Sequence, residues 1–412
     1  MARPARTLIA GTLTAIPLLA LLCGVATSQV VNDQDQSGDI FASGTLNVVT
    51  SSGDTTQVTT STGNSLVGSV ATGSLDVQNN QNLTGQVGAQ TTVNVTSDSG
   101  PNTTVNNAAT GNTADMGISG GGSLTGTSNQ FISGASAVTG VTDIQGPTAT
   151  TGAAAISNQA IGNSVGFGAT DSTVDYAVGQ VNAADVRADA AATYQYLPGD
   201  TNSFSSGAVA NNATATSAGT SNQTYSVTQD SGTGVVQATF FTALGNSQGT
   251  ITNATASANN VNATNTGGDL NVITSQDNGA YVRAQAEETS YSFGGATAQA
   301  YGVGNSVLAG NYGPNVTVDN TQVNSGGVDA IASFSGTDGY DAYASATAMG
   351  NAVTGYACSL CQPSMTATNR QTNSNGVSAT SSVTVDGSGR TTIGSSTAVG
   401  NSASFYVTQP TN

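Results

Sequence analysis

Very few residues in this chain could carry out acid–base, nucleophilic or metal chemistry. The sequence includes no histidine and no lysine, which excludes histidine general bases, Ser-His-Asp triads and Schiff-base lysines. The only glutamates are Glu287 and Glu288, and a glycosidase would need both carboxyl groups to face one sugar. Neighbouring residues of a strand point to opposite faces. We therefore predict a non-enzymatic protein with no catalytic residues, no cofactor and no metal.

Cys358 and Cys361 form the one motif with covalent chemistry. In an exported protein, two cysteines this close in sequence favour a local disulfide, and we predict a Cys358–Cys361 bond. The loop that it closes is short, so the expected stabilisation is small. A redox-active thiol pair and half of a zinc site shared with a second chain are the alternatives.

An acidic segment from Asp33 to Asp39 begins like a calcium-binding loop. Such a loop needs a bidentate acid at its twelfth position, where this chain has Gly44. We interpret the segment as a solvated acidic N-terminus, and a weak cation site is the alternative.

The start of the chain has the organisation of an export signal. Arg3 and Arg6 precede a mainly apolar run over residues 8–26, and small residues at positions 26 and 28 fit cleavage before Gln29. We predict a signal peptide over residues 1–28 and an exported protein.

The chain after the predicted signal is acidic. It carries 23 acidic residues against four arginines, a formal charge of −19. Those arginines are Arg187, Arg283, Arg370 and Arg390. Nucleic acids and anionic membranes bind to basic patches, so we predict no nucleic-acid partner.

Seven of the Gly-Asn pairs in the chain recur at a nearly regular interval, with one longer gap. They are Gly63-Asn64, Gly111-Asn112, Gly162-Asn163, Gly245-Asn246, Gly304-Asn305, Gly350-Asn351 and Gly400-Asn401. The longer gap, between the third and fourth pairs, holds a degenerate pair, Ala210-Asn211. Since glycine adopts positive φ at no steric cost and asparagine tolerates it, we interpret the pairs as turns of a structural repeat.

A glutamine follows most of these pairs at a similar offset from the asparagine. These glutamines are Gln81, Gln130, Gln180, Gln322 and Gln371. We assign the same place to Gln223 and Asn262 in the remaining units. Stacked amides can form a ladder of hydrogen bonds, which we favour over amides that merely decorate turns.

The length of the unit suggests how it is folded. A unit of about 48 residues is large for one coil, so we expect two coils of about 24 residues per unit. About 16 such coils would form a rod roughly 75 Å long.

The composition favours β-structure over helix. Glycine and β-branched residues interrupt nearly every helical window, whereas alternation over residues 91–96 and 381–386 is typical of strands. We predict an all-β fold, a repetitive β-solenoid or β-helix-like stack of short strands. A largely disordered chain is the alternative. Residues 29–152 form an N-terminal repeat region without tyrosine, and residues 153–412 form a C-terminal repeat region that contains it.

The export signal, the Ala-x-Gly-Asn-Ser units, the amide marks and the absence of lysine and histidine together resemble the holdfast anchoring proteins of the HfaD type. The resemblance extends over roughly residues 29–412. It implies a protein at the cell surface, associated with the outer membrane, that tethers an adhesive polysaccharide. It also implies companion anchor proteins and a curli-secretion-like outer-membrane lipoprotein as partners. The units are also similar to curlin repeats, although curlin repeats are about half as long.

We therefore predict a cell-surface anchor or adhesin that self-associates and binds surface polysaccharide. Aromatic faces stack on sugars, which makes Tyr194, Tyr196, Tyr340 and Tyr343 the candidate glycan-stacking residues. The alternative is a curli-like amyloid or another extracellular fibre subunit, followed by a glycan-processing enzyme built on a β-helix. A cation-loaded surface-layer protein is a further alternative.

Overall fold

The structure is a parallel β-solenoid of eight coils. The computed structural model describes residues 27–358 and 363–408, and every regular element in those residues is a β-strand. In chain order the strands are β1 (Thr27–Gln36), β2 (Ile40–Thr50), β3 (Thr55–Val70), β4 (Ser74–Leu83), β5 (Val87–Asp98), β6 (Asn102–Ser119), β7 (Ser123–Ile132), β8 (Ala137–Thr150), β9 (Ala153–Thr170), β10 (Thr173–Asn182), β11 (Asp185–Leu197), β12 (Asn202–Ala218), β13 (Asn222–Ser231), β14 (Val235–Asn265), β15 (Leu270–Asn278), β16 (Tyr281–Asn311), β17 (Asn315–Asn324), β18 (Val328–Cys358), β19 (Ser364–Asn373), β20 (Val377–Val385) and β21 (Thr391–Thr408).

Each coil has the same three segments. A short strand comes first, a second strand follows it, and a long strand completes the coil; coil 1 is β1–β3 and coil 8 is β19–β21. In coils 5, 6 and 7 the second and long strands merge into the 31-residue strands β14, β16 and β18. The short strands form one eight-stranded sheet, and the other strands form a thirteen-stranded sheet. The all-β solenoid prediction is confirmed, and many of its strands are longer than expected, with β14 more than three times the length of β15.

One repeat unit is one coil. Paired residues in adjacent coils are 48 apart at Thr55 and Thr103, 51 apart at Asn102 and Ala153, and 46 apart at Val235 and Tyr281. The prediction of two coils per unit was wrong, because a long strand such as β6 alone uses 18 residues of its turn. Eight coils at the spacing of hydrogen-bonded strands give a stack about 38 Å high, roughly half the expected length.

Small residues fill one part of the core of each coil, and larger side chains such as Phe204 and Tyr225 fill other parts. Inward positions alternate strictly with outward ones along most strands, as in the burial of β10 and β15. Alanine repeats at one inward position through four coils, at Ala188, Ala238, Ala284 and Ala330, and all four are buried. Because alanine is small, the long strand can approach the two shorter strands closely enough for side-chain amides to bridge the core.

The sheets run continuously across the boundary proposed at residues 152 and 153. β8 ends at Thr150 and β9 begins at Ala153, both within coil 3. The division into two repeat regions therefore rests on where tyrosine occurs in the sequence, and it remains a prediction. The predicted signal peptide lies outside the described residues except for Thr27 and Ser28, which begin β1. Across residues 27–358 and 363–408, no helix has the length and apolar character needed to span a membrane.

Candidate functional site

Eight asparagines on the long strand form a continuous hydrogen-bond ladder along the stack. They are Asn64, Asn112, Asn163, Asn211, Asn259, Asn305, Asn351 and Asn401. Each Nδ2 donates to the Oδ1 of the asparagine in the next coil at 2.7 to 2.9 Å. The second Nδ2 hydrogen of Asn163 crosses the core to the carbonyl of Val181 at 3.0 Å. Both amide hydrogens are thus satisfied in a buried row, which is the condition for burying amides without penalty.

A glutamine ladder on the short strand faces the asparagine ladder. Its members are Gln34, Gln81, Gln130, Gln180, Gln229, Gln276, Gln322 and Gln371. Here each Nε2 donates to the Oε1 of the preceding coil, at 2.7 to 2.9 Å. The second hydrogen of Gln180 bonds the carbonyl of Asn212 at 2.9 Å. The predicted stacking of glutamines is present, and the two ladders donate in opposite directions along the stack.

The Gly-Asn pairs are not turns. All seven lie inside strands, and none of their glycines has positive φ. The close approach of the next coil explains the glycine instead. A Cβ on Gly162 would overlap the carbonyl oxygen of Ala210, and one on Gly63 would overlap the carbonyl oxygen of Gly111. Gly111 and Asn112 are both buried although adjacent, so the inward alternation changes phase and the long strand bends at the pair.

One predicted pair lies outside the ladder. Asn246 is exposed and pairs with Tyr196 and Ser292 near the corner between the second and long strands. Its place in the ladder is taken by Asn259, which follows an alanine, as Asn211 does. The assignment of Gly245-Asn246 to the repeat was therefore wrong, despite its similar flanking residues.

Two of the predicted ladder positions were also wrong. Gln229 occupies the place assigned to Gln223, and Gln276 occupies the place assigned to Asn262. The sequence contained a usable signal, because these two glutamines follow Asn211 and Asn259 at the offset found in the neighbouring units.

The two glutamates face opposite sides of β16, as predicted. Glu288 is buried, and the hydroxyls of Thr250 and Thr252 donate to its carboxyl oxygens, the latter at 3.0 Å. Burial raises the pKa of Glu288 to about 7, although the two hydroxyls act to lower it. Glu287 is partly exposed on the outer face. This arrangement cannot place the two carboxyl groups around one glycosidic bond.

The four candidate tyrosines do not form one surface. Tyr194 is 1% exposed and belongs to a buried cluster with Phe204, so its assignment to glycan stacking was wrong. Tyr194 is buried because it occupies an inward-facing position of β11. Tyr196, in coil 4, and Tyr340 and Tyr343, in coil 7, are 36 to 61% exposed. The guanidinium carbon of Arg390 lies 5.5 Å from the ring centroid of Tyr340, a cation–π contact.

A second aromatic surface was missed by the sequence reasoning. Tyr312, Tyr356 and Tyr406 follow one another across coils 6 to 8, with ring centroids 5.6 and 5.7 Å apart. The last two rings are nearly parallel, at 15°. Tyr312 and Tyr406 are 55% and 47% exposed. The missed signal is the position within the repeat, because Tyr356 and Tyr406 follow their ladder asparagines at the same offset.

The predicted disulfide remains a prediction. Cys358 ends β18, whereas Cys361 lies outside the described residues.

Comparison with known protein families finds a match over most of the chain. The family model described as holdfast attachment protein D matches residues 49–327, about two thirds of the chain. The matched segment runs from the end of β2 through coil 6 and β17. No curated protein and no solved structure matches the chain significantly. The chain therefore belongs to the holdfast attachment protein D family, which implies a role in holdfast attachment at the cell surface or envelope.

Proposed function

We propose that the protein is a non-enzymatic structural anchor that tethers the holdfast polysaccharide to the cell envelope and associates with further copies of itself. The contacting tyrosines Tyr312, Tyr356 and Tyr406 carry this proposal. Tyr356 and Tyr406 are paired residues of adjacent coils with nearly parallel rings, and the ring of Tyr312 meets that of Tyr356 edge-on at 62°. Rigid aromatic faces suit the apolar faces of consecutive sugars, because little side-chain entropy is lost on binding.

The acidic surface is compatible with a polysaccharide partner that carries cationic or neutral sugars. In the described residues the basic side chains are only the four arginines, and two of them, Arg370 and Arg390, lie in coil 8. Following the family resemblance, the further partners in this proposal are companion anchor proteins and a curli-secretion-like outer-membrane lipoprotein. The predicted signal peptide would supply export to that location.

The test replaces these three tyrosines with alanine in cells that make a holdfast. We expect holdfast material to be shed under flow and purified variant protein to lose binding to isolated holdfast polysaccharide. The matched control is Tyr291→Ala, which removes a 65% exposed tyrosine outside this group. Undiminished binding by the triple variant, with an unchanged circular dichroism spectrum, would contradict the assignment of the site.

A fibre subunit is the second candidate, and the amide ladders favour it. Asparagine and glutamine ladders stabilise stacked strands in fibrils, and here they extend through all eight coils. The two candidates differ in their partner. An anchor binds isolated polysaccharide as a single copy, whereas a pure fibre subunit assembles without affinity for it.

A further inference from the structure

Within residues 27–358 and 363–408, both ends of the solenoid are open. The strands of coil 1 and coil 8 each pair with a neighbouring coil on one side only. Inward residues such as Leu46 in coil 1 and Val383 in coil 8 are only partly buried, whereas their equivalents in the middle coils are fully buried. Unpaired strand edges and an exposed core end are a template for adding another strand layer.

The two ends have matching dimensions. β1 and β19 are equally long, and Gln34 and Gln371 are the eighth residue of each. The separation in sequence between the ladder glutamine and the ladder asparagine is also identical, from Gln34 to Asn64 and from Gln371 to Asn401. Coil 1 of one copy would therefore continue both ladders of another copy without an offset.

The polarity of the ladders makes the ends complementary. Because the asparagine ladder donates from coil 1 towards coil 8, coil 1 presents the Oδ1 of Asn64 and coil 8 presents the Nδ2 of Asn401. The glutamine ladder donates the other way, so coil 1 presents an Nε2 hydrogen of Gln34 and coil 8 presents the Oε1 of Gln371. Coil 8 of one copy against coil 1 of the next pairs a donor with an acceptor in both ladders.

A third register position carries asparagines in the two coils at each end of the stack, although other residues occupy it in coils 3 to 6. Asn32 donates to Asn79 at 2.6 Å, and Asn320 donates to Asn369 at 2.7 Å. The open acceptor at this position is the Oδ1 of Asn32 on coil 1, and the open donor is the Nδ2 of Asn369 on coil 8.

Charge and shape also match between the ends. Residues 27–73 carry four aspartates and no arginine, whereas residues 363–408 carry two arginines and one aspartate. Asp33 and Arg370 both occupy the seventh, outward position of their strands, so a stacked copy would place them directly opposite. In the same register the ring of Phe405 would lie over Gly68, where a Cβ would meet no atom within 4 Å.

We propose that copies of this protein stack head to tail, with coil 8 of one copy seated on coil 1 of the next, so that both sheets and both amide ladders continue through the junction. The proposal rests on the self-association in the proposed function and specifies its geometry. The repeating unit of the resulting filament is eight coils, about 38 Å.

Charge reversal at the junction tests the geometry. Asp33→Arg places arginine opposite Arg370, and Arg370→Asp places aspartate opposite Asp33, so each variant alone should need about a tenfold higher concentration to assemble. Mixing the two variants restores an opposite-charge pair at every mixed junction and should restore assembly. The matched control is Asp175→Arg, the same reversal on an exposed residue of the same sheet in coil 4.

Assembly is measured on the secreted protein by sedimentation velocity and negative-stain electron microscopy, with circular dichroism to confirm folding. Single variants that assemble like the unmodified protein, or a mixture that fails to recover, would overturn the head-to-tail junction. If a reversal variant does not fold, Asp33→Asn, which removes the opposite-charge pair with a side chain of the same shape, should weaken assembly, and unchanged assembly would overturn the junction. An unmodified protein that stays monomeric at high concentration would refute self-association itself. Polysaccharide binding, measured separately on monomers, tests the anchor function independently.

Discussion

The Nδ2 of Asn163 donates to the Oδ1 of Asn211 at 2.9 Å, across the boundary between coil 3 and coil 4. Asn211 in turn donates to Asn259 at 2.9 Å and to the carbonyl of Asp230. Removing this one amide leaves a donor unpaired on one side and an acceptor on the other, in a row of buried side chains.

Asn211→Ala should therefore destabilise the solenoid by about 1–3 kcal/mol, the penalty for leaving buried polar groups unpaired. Urea unfolding followed by circular dichroism measures the change. Asn246→Ala is the control, because Asn246 belongs to a Gly-Asn pair but is exposed outside the ladder. Equal losses in the two variants would mean that the pair matters through its sequence and not through the ladder.

The lack of space next to Gly162 predicts that adding a side chain at this position destabilises the protein. A Cβ there would overlap both the carbonyl oxygen of Ala210 and the Nδ2 of Asn182. Gly162→Ala should lower the unfolding free energy by about 1–3 kcal/mol, because the backbone of the next coil must move.

Gly207→Ala is the matched control, since it lies on the long strand of coil 4 with no atom within 4 Å of the added Cβ. This substitution should be neutral or gain about 0.4–1 kcal/mol, through the lower entropy of the unfolded chain. A Gly162→Ala protein as stable as the control would contradict the close approach of the coils.

Burial of Glu288 predicts how stability varies with pH. The folded-state pKa is about 7 against an ordinary value of 4.5, so between these values the folded state binds a proton that the unfolded state does not. The unfolding free energy therefore falls as pH rises from about 4.5 to 7, by about 3 kcal/mol from this group, and is level above.

Glu288→Gln should remove this slope and make the protein more stable at pH 8, as measured by urea unfolding at pH 4.5, 6 and 8. Glu287→Gln, on the outer face of the same strand, should leave the slope in place. Retention of the full slope in the Glu288 variant would show that other groups produce it.

Replacing Tyr194 and Tyr196 should change the stability of the protein to very different extents. Tyr194→Ala opens a cavity in the core and should cost about 3–5 kcal/mol of stability. Tyr196→Ala removes a 41% exposed ring and should change stability by less than about 0.5 kcal/mol. Thermal unfolding distinguishes them. A large stability loss in Tyr196→Ala, or none in Tyr194→Ala, would reverse their inward and outward assignment.

The sequence predicted the repeat, the strands and the stacking of amides, because each depends on residue types that recur at one period. It did not identify which Gly-Asn pairs stack. The flanks of Gly245-Asn246 imitate those of Gly162-Asn163, whereas the true ladder member, Asn259, lacks the preceding glycine. Whether an asparagine joins the ladder depends on its register with the neighbouring coils. A short local motif carries no information about that register.

Local sequence patterns also did not reveal the size of the coil or the row of contacting tyrosines. A shorter coil was expected because a whole unit is large for one turn of a solenoid, but the long strand continues through the bend at Gly111 and enlarges the perimeter. Tyr194 and Tyr196 lie two positions apart and have opposite burial, because a register irregularity in β11 falls between them. Alternation alone would have placed them on the same face.

The one-coil repeat also determines how the molecule yields to mechanical force. A pull applied between coil 1 and coil 8 loads the hydrogen bonds between coils, which break one layer at a time from an end. Each detached layer of about 48 residues contributes about 5 Å to the intact stack but about 160 Å when drawn out. A solenoid built this way lengthens in discrete steps under load and dissipates the work as successive layers unravel, before the covalent chain itself bears the load.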